Sequence, residues 1–285
     1  MATTQAEKAE KFWSLHERPG GFVIPNPWDA GTARMLAGLG FEALATTSGG
    51  FAMTIGMRDG EGAVTRDAAL AHARALVAAC DLPVSADLEN GYGDDPESVA
   101  DTVRLAASVG LVGCSIEDAT GERSRPIYEK SHAVERVRAA VEMARSLPFR
   151  FTLTARAENF LRGRPDLDDT IERLRAFEAA GADVLYAPSL PDLATIRRVC
   201  ESVTRPVNVM IGPKGQCFPV RDLVGVGVRR ISLGPTFLRA AMTAFLRAAR
   251  EVREHGTFEF AKDAVTFAEL NALMASKATG GSSGA

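Results

Sequence analysis

Short runs rich in β-branched and apolar residues alternate along the chain with longer Ala-, Leu- and Arg-rich stretches whose apolar positions recur at helical spacing. The short runs predict eight strands, at residues 22–28, 42–48, 83–89, 113–119, 151–158, 184–189, 206–211 and 229–234. The stretches between them predict amphipathic helices, among them 67–80, 95–109, 133–146, 168–180 and 192–203, several opening on an Asp suited to capping. Phrases such as LAGLGFEAL, AASVGLVGC and FEAAGADVL share one order: a helix ends, a glycine breaks it, and a buried strand begins. Eight repeats of that unit predict an α/β protein of the (β/α)8 TIM-barrel type. An open doubly wound sheet is disfavoured, because no glycine-rich phosphate fingerprint follows the first strand.

An extra helix is expected at 4–17, a long apolar one over PTFLRAAMTAFLRAAREVREHG, and a further one at 258–277. The long helix is apolar on more than one face, so a homo-oligomer, dimer or tetramer, is expected. Residues 1–278 read as one barrel domain and 279–285 as a flexible tail.

Composition narrows the function classes. The chain has 285 residues, 46% of them apolar, and a net charge of -3, which argues against nucleic-acid binding. Cys80, Cys114, Cys200 and Cys217 lie far apart with no metal-ligand spacing, as expected of reduced thiols. No signal-peptide core opens the sequence and no apolar run reaches the roughly 18 residues that span a membrane, so a cytoplasmic protein without membrane partners is expected.

The chemistry concentrates where barrel strands end. Asp87 and Glu89 in PVSADLENGYG, Glu117 and Asp118 in GCSIEDA, and Arg156 and Glu158 in TARAE all follow strand-like runs. Carboxylates converging there repel one another, so a positive group is required, most simply a divalent metal with oxygen ligands. At spacing two, Asp87 and Glu89 should share a face, whereas Glu117 and Asp118 should point to opposite sides. IPNPWDAGTA adds Asn26, Trp28 and Asp29, the last either a site residue or a helix cap. TTSGGFA adds Ser48, Gly49 and Gly50, either a plain turn or a place where backbone N–H groups meet a carboxylate.

SGG, SADLENGYG, GCSIEDA and TARAE, in this order, resemble the isocitrate lyase/phosphoenolpyruvate mutase superfamily over roughly residues 20–245. The resemblance implies a Mg²⁺-dependent barrel that makes or breaks C–C or P–C bonds beside an α-keto acid through an enolpyruvate-like intermediate. It implies that Ser48, Gly49 and Gly50 bind the carboxylate and that Asp87 ligates the metal directly. Glu89 and Glu117 would hold metal waters, Arg156 would face the oxyanion, and the last helix would be swapped between subunits. Hard carboxylate ligands suit Mg²⁺ or Mn²⁺ better than zinc.

The loop after the fourth strand departs from that pattern. TGERSRPIYEKSH lacks the cysteine that lyases of the superfamily carry there, and Arg125 and Tyr128 are its candidate lid contacts. In PVNVMIGPKG, Asn208 is displaced from the usual asparagine, where Met210 stands. Arg156, Glu117, Arg125 and Tyr128 are therefore the expected catalytic set. Ser48, Gly49, Gly50, Trp28, Asp87, Arg156 and Asn208 are the expected substrate contacts. The expected reaction is Mg²⁺-dependent C–C cleavage or decarboxylation of a small α-oxo or 2-hydroxy carboxylate. Phosphonopyruvate hydrolysis, phosphonomutase chemistry and a non-catalytic α-keto-acid binder are the alternatives.

Overall fold

The computed structural model describes residues 3–60, 62–212 and 217–275. Its strands are β1 (Phe22–Ile24), β2 (Leu44–Ala45), β3 (Val84–Asp87), β4 (Gly113–Glu117), β5 (Thr152–Arg156), β6 (Val184–Tyr186), β7 (Val207–Met210) and β8 (Arg230–Ser232). From β2 to β8 each strand pairs in parallel with the next in sequence, and β8 pairs with β1. The seam between β1 and β2 is bridged by the Ala45 N–H on the Pro25 carbonyl at 3.1 Å and by Asn26 Nδ2 on the Thr46 carbonyl at 2.9 Å. The sheet is thus a (β/α)8 barrel, as the alternation predicts.

Alternate strand residues face outward. Val84 and Ala86, Cys114 and Ile116, and Leu153 and Ala155 join one apolar cluster with helix residues such as Leu70, Val103 and Leu174. The positions between them carry Ser85, Asp87, Ser115, Glu117, Thr154 and Arg156, so much of the barrel interior is polar. Branched apolar side chains usually fill that space.

The covering helices are α2 (Ala30–Gly38), α4 (Arg66–Ala79), α5 (Pro96–Ser108), α6 (Lys130–Ser146), α7 (Leu167–Ala179), α8 (Leu193–Ser202) and α9 (Val220–Gly225), with a short α3 (Ser48–Thr54) after β2. Asp29, Asp95, Asp166 and Asp192 accept backbone N–H bonds as N-caps. Asp29 is therefore a helix cap, one of the two roles the sequence allowed. The second strand is shorter than expected because Thr47 caps α3, its Oγ1 accepting from the Gly50 N–H at 3.2 Å.

After β8 the chain forms α10 (Thr236–His255). The single helix expected at 258–277 is instead a 3-10 turn (Glu259–Asp263) and α11 (Phe267–Ala275). Thr266 and Glu269 bond reciprocally there and start the new helix. Residues 276 and 277 and the expected tail lie outside the described residues. Arg34 Nη1 donates to the Met274 carbonyl at 2.8 Å, tying α11 to α2. Among the described residues no helix is long and apolar enough to cross a membrane.

The end of the barrel opposite the mouth is sealed by α1 (Gln5–Glu17), whose Ala9, Phe12 and Leu15 pack on Phe22, Ile24 and Val112. Gly113 makes this contact possible, since a Cβ there would lie 2.6 Å from the Thr152 carbonyl and 3.2 Å from the Phe12 ring. His16 lies inside the seal, stacked on Trp13, with its Nδ1 2.9 Å from the Phe12 carbonyl. Burial, assisted by the Arg230 charge, pushes its pKa down to about 3.

A histidine depressed in this way is neutral in both states above its unfolded pKa of about 6.5, and below that only the unfolded chain takes up the proton. His16 should therefore cost stability at a slope of about 1.4 kcal/mol per pH unit as pH falls from about 6.5 toward 3. His16→Phe is expected to flatten the fall of the urea midpoint between pH 6.5 and 4. An unchanged slope would assign the acid sensitivity to other groups.

Candidate active site

The strand ends surround a cavity of about 250 Å³. Its walls include Ser48 and Gly49 after β2, Asp87 on β3, Arg156 on β5 and Asn208 on β7. Strand register does the first assembly step: Glu117 pairs with Arg156, and Arg156 with Tyr186, across β4, β5 and β6. All three side chains are thereby delivered to the inner face at one level.

Arg156 is the hub. Its Nη1 is 2.9 Å from Asp87 Oδ1, and its Nη2 is 3.1 Å from Glu117 Oε2 and 2.8 Å from Glu158 Oε1. Arg162 supplies a second guanidinium, 3.0 Å from Glu117 Oε1 and 3.4 Å from Glu158 Oε2. Ser48 Oγ donates to Asp87 Oδ2 at 2.8 Å, fixing that carboxylate between a hydroxyl and a cation. Burial alone would make Arg156 easier to deprotonate, but Glu158, Asp87 and Glu117 more than offset it and hold the guanidinium firmly charged.

Negative charge is in excess. Glu89 and Asp59 stand close enough to Asp87 to feel its charge. Burial, then repulsion from Asp87, Glu117 and Asp59, pushes Glu89 up to about 7. Burial and the neighbouring Glu158 push Glu117 to about 7 as well. Such a donor set, all hard oxygen and mutually repelling, fits a hard divalent cation. Among the described residues no three His, Cys, Asp or Glu side chains form a ready cage.

Glu117 and Asp118 diverge, as alternation predicts. Asp118 points away from the barrel axis, accepting from the Glu158 N–H at 2.8 Å and pairing with Arg173 of α7 at 3.1 Å. Glu89 stands beyond the strand, yet its carboxyl remains within reach of the charges of Asp87, Glu117 and Asp59. The strand ends at Asp87, and Glu89 turns to φ +48°, a left-handed value costly for a residue with a Cβ. Glu89 also lines a neighbouring hollow beside Asn90, Tyr92 and Arg66.

Of the residues singled out in the sequence, the cavity brings together Asn26, Ser48, Gly49, Asp87, Arg156, Asn208 and Met210, with Glu117 joined to Arg156. Gly50, Trp28, Arg125 and Tyr128 are not on its wall. Gly50 is packed on Thr47, whose Cγ2 would lie 2.4 Å from an added Cβ. The Trp28 carbonyl faces His72 Nε2 at 2.9 Å. Tyr128 was expected as a lid contact, but it anchors the base of its loop instead. Its hydroxyl donates to Asp94, and Arg136 lies 4.3 Å above its ring. The loop folds on itself, with the Thr120 N–H on the Pro126 carbonyl at 3.2 Å, leaving Arg125 exposed and 3.8 Å from Glu122.

Several site residues escaped the sequence reading. Asp59 packs against Gly49 so closely that a Cβ there would meet its Oδ2 at 2.5 Å, so the glycine in SGG records that contact. Tyr186 lies 4.9 Å under the Arg156 guanidinium. Arg230 sits in a buried strand where a charge has no structural reason to be, and VRRIS displays it plainly.

Residues 12–253 match the phosphoenolpyruvate phosphomutase family. A solved structure assigned as a lyase/mutase from Burkholderia cenocepacia J2315 is 57% identical, with TM-score 0.93, covering 95% of this chain and 97% of its own. The 2-methylisocitrate lyase of Escherichia coli K12 is 31% identical over 231 residues, 76% of this chain and 75% of its own. Oxaloacetate acetylhydrolase, solved with its product oxalate, is 25% identical with TM-score 0.85, covering 95% of this chain and 94% of its own. This chain belongs to the phosphoenolpyruvate phosphomutase family, within the isocitrate lyase/PEP mutase superfamily, and is an enzyme of its lyase and mutase type.

Proposed function

We propose that the enzyme cleaves a C–C bond in a small α-oxo or 2-hydroxy carboxylate by way of an enolate, with Mg²⁺ or Mn²⁺ as its cofactor. The observation that carries this reading is the Arg156 guanidinium, held by Asp87, Glu117 and Glu158 on the wall of a cavity sized for a small metabolite. A 2-methylisocitrate lyase and an oxaloacetate acetylhydrolase among the relatives support it.

In a 2-hydroxy substrate the hydroxyl loses its proton to a base, and its carbon becomes the α-keto carbonyl as the C–C bond breaks. The electron pair leaves on the other fragment as an enolate that a proton then quenches. In a β-keto acid CO2 departs and the pair stays on the keto fragment as its enolate. In both cases negative charge sits on an oxygen beside the reacting carbon. Arg156 is fixed beforehand by three carboxylates, so it can meet that oxygen without reorganising. The chain at Ser48 and Gly49 would hold the adjoining carboxylate, while the Ser48 hydroxyl stays on Asp87. Asp87 would hold the cation directly, with Glu89 and Glu117 reaching its waters. When bound, the cation supplies a Lewis acid that polarises the keto oxygen. Arg125 would reach the substrate only on loop closure.

The helix α10 supports an oligomer of this chain. Met242, Phe245, Leu246 and Val252 are exposed by 41, 63, 48 and 39% and recur at the spacing of one helical face. A second copy that covers this stripe would complete a dimer or, by repetition, a tetramer.

Three outcomes follow. Asp87→Ala should weaken Mg²⁺-dependent oxalate binding, measured by calorimetry, by more than the roughly 10–100-fold that loss of an outer metal partner costs. Unchanged affinity would remove Asp87 as the ligand. Assayed with Mg²⁺ and 2-methylisocitrate, dimethylmalate, oxaloacetate or phosphonopyruvate, the enzyme should release a C–C cleavage product; phosphate from phosphonopyruvate alone would establish P–C chemistry instead. Light scattering should find a dimer or tetramer that Phe245→Asp dissociates, and a wild-type monomer would contradict the contact.

A further inference from the structure

Three arginines line the cavity. Arg239 of α10 is exposed, with its Nη1 3.4 Å from the Gly212 carbonyl, and the two on strands stand in opposite electrostatic circumstances. Arg156 faces three carboxylates, whereas Arg230 on β8 faces none among the described residues. Arg230 is 5% exposed. Its Nε donates to Asn208 Oδ1 at 2.9 Å, and its Nη1, although buried, has no hydrogen-bond partner. Register places it between Phe22 of β1 and Asn208 of β7, one inward position deeper than Ser232.

The surroundings orient Arg230 without neutralising it. Asn208 Nδ2 donates to Ser232 Oγ at 3.0 Å, which leaves Oδ1 turned to the guanidinium. Tyr186 lines the same cavity, and His16 in the seal is kept neutral in part by the Arg230 charge itself. Burial brings the Arg230 pKa down only to about 10, so the group is charged at neutral pH. A buried, charged guanidinium with an unpartnered N–H is strongly disfavoured unless an anion completes it. Its planar fork suits a carboxylate better than any other small anion of metabolism except phosphate.

We propose that Arg230, oriented by Asn208, binds a second anionic group of the substrate, a carboxylate remote from the reacting carbonyl. The substrate is then a dicarboxylate that spans the cavity, with its α-oxo or 2-hydroxy end at Ser48 and Arg156 and its other end on Arg230. This assignment rests on the reading of the Ser48–Asp87–Arg156 end as the reacting end, and it adds the substrate class that the loop of residues 120–132 does not disclose. Arg230 is a specificity residue for the length and charge of the substrate.

Calorimetry with oxalate and with malate, both in Mg²⁺, separates the two ends. Oxalate reads the reacting end alone, and malate adds a carboxylate at the far end. Arg230→Met is expected to weaken malate by about 30-fold or more while leaving oxalate within about twofold. Arg230→Lys keeps the charge but loses the fork, and should fall between wild type and Arg230→Met for malate. Without ligand, Arg230→Met should melt no lower than wild type, because it removes a buried charge that has no counter-ion. An unchanged malate-to-oxalate ratio, a lowered melting temperature with both ligands weakened alike, or a wild type that ignores malate would each overturn the proposal. Failure of oxalate to bind wild type would instead defeat the reading of the reacting end. The malate response to Arg230→Met would still decide the role of Arg230.

Discussion

The structure turns on like charge gathered at the barrel mouth. Asp87, Glu117 and Glu158 are tolerated side by side because Arg156 lies among them, and Arg162 offsets part of the remainder. Removing one member of such a buried set leaves the rest uncompensated, typically at a cost of about 3–5 kcal/mol. Much of the local architecture serves that arrangement. The register across β4, β5 and β6 sets Glu117, Arg156 and Tyr186 abreast, and a slip of one residue would turn all of them outward. The left-handed turn at Glu89 ends β3 just where Asp87 must stop. The Arg173–Asp118 pair anchors the next residue of β4 to α7, so that Glu117 is held from behind.

The two inward arginines divide the cavity into unlike halves. One half is rich in carboxylates and suited to a hard cation, and the other presents an uncompensated guanidinium. A neutral ligand would satisfy neither half. A small dianion with an oxygen next to one carboxylate would satisfy both, which links the polar barrel interior directly to substrate class.

The fold was legible because its signal is repeated. Each strand carries an apolar outer face and each helix an apolar stripe, and Asp95 and Asp192 marked helix starts that the structure confirms as caps. Strand ends were less legible, since SGG reads as a turn until Thr47 is seen to cap α3. The break before α11 depends on one local Thr266–Glu269 exchange that helical periodicity does not register. At the site, the opposed directions of Glu117 and Asp118 followed from alternation, because Glu117 ends the strand and Asp118, whose N–H still reaches the Arg156 carbonyl, continues its run by one residue. Alternation does not reach Glu89, because the strand ends at Asp87 and φ changes sign at Glu89. Asp59 comes from the irregular loop after α3, where no period marks it, and its place on the cavity wall and its approach to Gly49 reveal it. Arg230 was visible all along as a charge in a buried strand, but its lack of a counter-ion is a property of three dimensions.

The most direct test of the charged mouth as a metal-dependent reaction centre is an anomalous difference map from crystals grown with Mn²⁺ and oxalate. A single peak beside Asp87, with oxalate between it and Arg156, is the predicted result. Oxalate absent from the cavity, with no peak and the Asp87–Arg156 pair unchanged, would contradict it.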